Sequence, residues 1–151
     1  MKIAVGSDHA GFAAKEITLK TLKTLGHEAA DFGTSGCDSV DYPDYAAAVC
    51  NAVASGAAER GILLCGSGVG MCIAANKYKG IRASIAHDIY SAAQGVQHND
   101  MNVLCIGGKV VDHAALPRII EAFINARFLK DEERFARRVQ KLLAIEAANF
   151  K

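Results

Sequence analysis

Residues 61–70, Gly-Ile-Leu-Leu-Cys-Gly-Ser-Gly-Val-Gly, run from an unbroken apolar stretch straight into a glycine-rich turn. Alternating polarity would mark a strand with one wet face. A continuous short apolar run instead marks a strand covered on both faces, as in a parallel sheet. The same kind of run recurs at 2–6 (KIAVG), 82–86 (RASIA) and 102–106 (NVLCI), with a weaker fifth at 27–32 (HEAADF). Helical signals fill the intervals. Residues 12–25 stop at Gly26, and 43–55 open on Pro43 and stop at Gly56, a proline-first, glycine-last pattern. Asp88 stands where it can cap 89–97, a short helix fits 71–76, and Leu116, Ile120, Phe123 and Ile124 have helical spacing from a start near Pro117. A last helix, about 131–147, carries Phe135, Val139, Leu142 and Leu143 on one stripe. The alternation predicts an α/β fold, an open sandwich of about five parallel strands, in one domain spanning 1–151.

Composition narrows the function classes. The chain has 151 residues, 51% hydrophobic and 22% charged with two prolines, which excludes wholesale disorder. Seventeen Lys and Arg against sixteen Asp and Glu leave a net charge of +1, so no global basic field holds nucleic acid or an anionic membrane. An anionic ligand has to be held by locally clustered cations. Five cysteines without a CxxC, and scattered histidines, fit neither a disulfide framework nor a zinc site. No apolar run approaches 18 residues and no leader-like segment opens the chain, so a reducing cytoplasm is expected.

In an open parallel sheet, ligands bind beyond the carboxyl ends of the strands. There the sequence collects Asp8 and His9 after the first strand, Gly66, Ser67, Gly68, Val69 and Gly70 after the third, His87 after the fourth, and Lys109 after the fifth. Glycines at 66–70 let backbone N–H groups turn toward an anion; the same glycines also suit a tight turn without a ligand. Cys65 enters that loop, where nearby amides favour a thiolate, although a cysteine ending an apolar run is also ordinary core filler. Cys50, Cys72 and Cys105 sit in strongly apolar surroundings and are read as core. His98, at the end of a helix, is either a general acid/base or a capping side chain, and His9 either an anion contact or a turn residue. Arg134 and Arg138 lie four apart beside the Phe135/Val139/Leu142 stripe, where they form either a phosphate clamp or a solvated face.

Taken together, DHAG at 8–11, DYP at 41–43, CGSGVG at 65–70, AANK at 74–77 and QHND at 97–100 resemble the type B ribose-5-phosphate isomerases. The wider group includes the galactose-6-phosphate isomerase subunits. The resemblance runs in order from Met1 to about Glu146. It implies a Rossmann-like three-layer subunit and a homodimer, sometimes paired into tetramers. It also implies cofactor-free and metal-free interconversion of ribose 5-phosphate and ribulose 5-phosphate, a step of the pentose phosphate pathway. Cys65 matches the base that moves a proton between C1 and C2 through a cis-enediolate, Ser67 a supporting hydroxyl, and the 66–70 amides an oxyanion hole. His98 matches the ring-opening residue, Asn99 a substrate contact, Tyr42 a pocket wall, and Asp8 and His9 contacts to sugar and phosphate. Arg134 and Arg138 match arginines that reach the phosphate in the neighbouring subunit's site, so the last helix is expected to pack on a partner. Two positions depart from the family pattern at the phosphate end: Lys109 replaces an arginine and Phe135 a histidine. These leave open a hexose or tetrose phosphate as substrate, or a non-catalytic phosphosugar-binding module.

Overall fold

The computed structural model describes residues 1–150. Its elements are β1 (Lys2–Ser7), α1 (Phe12–Thr24), β2 (Glu28–Asp31), α2 (Tyr42–Ala54), β3 (Arg60–Cys65), α3 (Val69–Ala75), β4 (Ala83–Ile85), α4 (Ile89–Asn99), β5 (Val103–Gly107), α5 (Leu116–Asn125) and α6 (Glu133–Asn149). The five strands form one parallel sheet in the order β2-β1-β3-β5-β4. From β1 the sheet grows toward β2 on one side and β3 on the other. The carboxyl ends of β1 and β3 therefore flank the switch point, where open α/β sheets form their binding crevice.

The continuous apolar runs follow from burial on both faces. Ile3, Val5, Ile62, Leu64, Leu104 and Ile106 pack under α1, α4 and α5. Ala4, Leu63, Val103 and Cys105, one residue out of phase, pack under α2 and α3. The result is a three-layer Rossmann-like sandwich, as the sequence implied. Asp88 caps α4 as its position suggested, its carboxylate accepting from Ser91 N–H at 2.6 Å.

Two boundaries move. The third helix begins at Val69, not 71, because Gly68 takes a left-handed conformation (φ 81°) and turns the chain early into the helix. The edge strand β4 shrinks to three residues, since only β5 pairs with it.

Helix α6 lies outside the three layers. The stripe expected to face a partner is divided: Phe135 and Val139 are 3% and 4% exposed, with Phe135 packed on α4 of its own chain, while Leu142 remains 43% exposed and Ile145, outside the stripe, 61%. Toward its carboxyl end Glu146 accepts from Gly80 N–H at 2.7 Å, and a groove of about 660 Å³ opens between α6, α4 and the edge strand. Among the described residues, no helix is long and apolar enough to cross a membrane.

Candidate active site

The carboxyl edge of the sheet is built mainly from backbone. Asp8 is 7% exposed and closes the turn after β1 by accepting from Gly11 N–H at 3.0 Å. Gly11 has to be glycine, because a Cβ there would sit 2.4 Å from the Leu64 carbonyl oxygen. That close approach brings the β1 and β3 turns together. His9 Nδ1 accepts from Val40 N–H at 3.2 Å, so its remaining ring proton is on Nε2.

Beside them Cys65 is 5% exposed, and its Sγ accepts from Gly68 N–H at 3.1 Å. Val69 N–H donates to Ser67 Oγ at 3.2 Å. Two of the five amides expected to face an oxyanion are thus used within the loop. The N–H groups of Gly66, Ser67 and Gly70 donate to nothing else among the described residues. The Tyr42 ring packs against Gly70, where any Cβ would come within 2.8 Å of it. Lys109 N–H donates to the Gly66 carbonyl at 3.1 Å, which places the exposed Lys109 side chain over the same loop. Asp8, His9, Cys65, residues 66–70, Tyr42 and Lys109 therefore share one edge.

His98, Asn99, Arg134 and Arg138 do not join them. Helix α4 returns the chain to the amino edge, where Asn102 accepts from the N–H of Gly61 at the start of β3. His98 lies just before that point, and its ring stacks on Phe135 with centroids 3.9 Å apart and planes at 18°. The Arg134 guanidinium lies 4.7 Å from the Phe135 ring centroid. Cys65 closes the opposite end of β3, and five residue steps of strand span about 17 Å. One chain therefore carries two separate groups of candidate residues, one at each edge.

The cysteines also divide. Cys50 is pushed up to about 11 by burial. Cys72 departs from the sequence reading: the Cys105 thiol hydrogen-bonds to it and pulls it down to about 6, with help from the Asn76 amide 3.6 Å away. Cys105 moves in the opposite direction as the donor of that pair. Cys105 arrives from another strand and was not visible locally, whereas Asn76 stands at i, i+4 from Cys72. Two further side chains gain a role from the structure. His87 Nε2 accepts from Gly107 N–H at 2.8 Å and steadies the end of β5 under the loop. Gln94, one turn before His98, places Nε2 3.0 Å from His98 Nδ1; its i, i+4 spacing was the available signal. Among the described residues, no group of three or more His, Cys, Asp or Glu is placed to hold a metal ion.

A Rossmann-like sandwich with a cysteine and free amides at its switch point has the layout of a small-molecule-binding protein of the α/β class. Residues 3–142 match the family model described as Ribose/Galactose Isomerase, and the chain belongs to that family. It is 44% identical over 145 residues to ribose-5-phosphate isomerase B of Escherichia coli, covering 96% of each chain. It is 39% identical to D-erythrulose-4-phosphate isomerase 2 of Mycolicibacterium smegmatis, covering 98% of this chain and 99% of that one. The solved structure of Clostridium thermocellum ribose-5-phosphate isomerase B superposes with a TM-score of 0.93 at 44% identity, over 98% of this chain and 99% of that one. The chain is a sugar-phosphate aldose–ketose isomerase.

Proposed function

We propose that the substrate pair is ribose 5-phosphate and ribulose 5-phosphate, and that the site is shared between two copies of the chain. Cys65 takes the C2 proton of the open-chain aldose and returns it to C1, and the hydroxyl proton moves from O2 to O1. The N–H groups of Gly66, Ser67 and Gly70 meet the charge that gathers on the enediolate oxygens, and the Ser67 hydroxyl supports the step. Asp8 and His9 hold the sugar and phosphate, and Tyr42 and Lys109 close the pocket. Opposite them a second copy presents His98 for ring opening, Asn99 as a sugar contact, and Arg134 and Arg138 as the phosphate clamp.

The observation that carries this reading is the separation of the two residue groups across the sheet. Neither half alone holds both a base and a pair of free cations, and a two-fold related copy supplies the missing half to each. The open apolar side of α6, Leu142 and Ile145, suits the packing of such a copy. The working unit is then a homodimer of single-domain chains, or two such dimers paired, in the cytoplasm.

A tetrose phosphate is the second reading. It is favoured by the 39% identity to D-erythrulose-4-phosphate isomerase 2, while Lys109 changes the phosphate end from a bidentate fork to a point charge. Turnover of ribose 5-phosphate measured beside tetrose and hexose phosphates tests both. A preference for ribose 5-phosphate is expected; a higher kcat/KM on another aldose phosphate would replace the substrate, and no turnover of any would leave a binding module.

A further inference from the structure

We propose that Gln94 is a positioning residue that fixes the tautomer of His98. The inference rests on the reading of His98 as the ring-opening group and extends it to a residue that no resemblance brought forward. The Gln94 side chain approaches His98 with its amide nitrogen, 3.0 Å from Nδ1. An amide nitrogen donates and cannot accept, so Nδ1 carries the lone pair and the ring proton sits on Nε2. Phe135 covers a face of the ring, 3.9 Å between centroids, and limits its rotation. Phe135 is itself buried and contacts Arg134, so a single aromatic side chain holds both the imidazole and one clamp arginine. Here a histidine would bring a second titrating ring against His98, whereas phenylalanine brings only a stacking surface.

A fixed Nε2–H suits one half of ring opening. As the bond from C1 to the ring oxygen breaks, the C1 hydroxyl proton passes through water to that oxygen. Nε2–H donates a hydrogen bond to the oxygen while charge gathers on it. The reverse tautomer would present a lone pair to that oxygen and repel it.

Nitrogen chemical shifts of the His98 ring in the full-length protein read the tautomer directly. The wild type is expected to show a protonated Nε2 and a bare Nδ1, Gln94→Leu a mixture, and Gln94→Glu the reverse, because a carboxylate accepts from Nδ1–H. Two rates separate ring opening from proton transfer. Turnover of ribose 5-phosphate needs both steps. Loss of a hydrogen label from C1 of ribulose 5-phosphate to water needs only the second, since O5 is esterified and that sugar is already open. Both Gln94 variants should lose about tenfold in the first rate and keep the second. A protonated Nδ1 in the wild type, a tautomer unmoved by Gln94→Leu, or equal losses in both rates would overturn the role of Gln94. His98→Asn, measured alongside, judges the underlying reading separately. Equal losses in both rates there would remove ring opening from His98 whatever the tautomer.

Discussion

The two edges of the sheet hold their chemistry in different ways. At the carboxyl edge the chain itself is the scaffold: Gly11 lies against the Leu64 carbonyl, Gly107 against the Ser67 backbone, and Gly68 N–H reaches the Cys65 sulfur. At the amino edge side chains do the holding, with Gln94 and Phe135 fixing His98 and Arg134 resting beside Phe135. A backbone-built half suits the step in which charge develops on a small oxygen, because fixed amides need no reorganisation. A side-chain half on helices suits reach, since Arg134 and Arg138 are exposed and project from the molecule. The difference implies that substitutions in the Cys65 loop at the carboxyl edge act on kcat and those at the amino edge on substrate binding and ring opening.

The largest expected effect is at Cys65. Cys65→Ala removes the proposed base, and isomerisation should fall at least about a thousandfold, with thermal unfolding close to wild type. Retention of most of the turnover would break the assignment of chemistry to this edge.

Gly107→Ala comes next. A Cβ there would stand 2.7 Å from the Ser67 backbone, so the loop has to shift. A displacement of this size should lower kcat by about a hundredfold and leave KM nearly unchanged. A KM effect without a kcat effect would contradict the division between the edges.

At the opposite edge, Arg134→Ala and Arg138→Ala each remove a charge-assisted contact of about 1.5–3 kcal/mol, so KM should rise about tenfold to a hundredfold. Steady-state kinetics with kcat largely kept would support the clamp; a pure kcat loss would place these arginines elsewhere in the reaction.

The smallest effect lies between the two edges, under α3. Because Cys72 is pulled down to about 6, its thiolate should be present above that pH and lost below it. Ultraviolet thiolate absorbance followed across that range should show one group titrating, absent in Cys72→Ser. A titration that survives in Cys72→Ser belongs to another cysteine.

The layers were legible in the sequence because burial on both faces leaves continuous apolar runs, and 61–65 and 102–106 show this in a few residues. The carboxyl-edge residues were legible for a related reason. Strand ends in a parallel sheet all face one crevice, so Asp8, Cys65 and Lys109 could be grouped from strand order alone. Asn76 stood in plain view at i, i+4 from Cys72, whereas the approach of Cys105 was not legible, since it arrives from β5. Nor was the division of the α6 stripe. Helical spacing puts Phe135 and Leu142 on one side, and only the position of α4 decides that the first is covered and the second open. The split of the candidate site across two edges follows from α4, whose run over 89–97 was legible and carries His98 back past the sheet before β5 begins.

That split is the central claim, and subunit exchange tests it most directly. Cys65→Ala spoils the carboxyl-edge half and His98→Asn the amino-edge half. Mixed equally under conditions that exchange chains, the two variants should form mixed dimers in which one site receives an intact Cys65 and an intact His98. Recovery of about one quarter of wild-type turnover is expected from random pairing. Turnover that stays at the level of the separate variants, with exchange proven by mass, would contradict a site shared between chains.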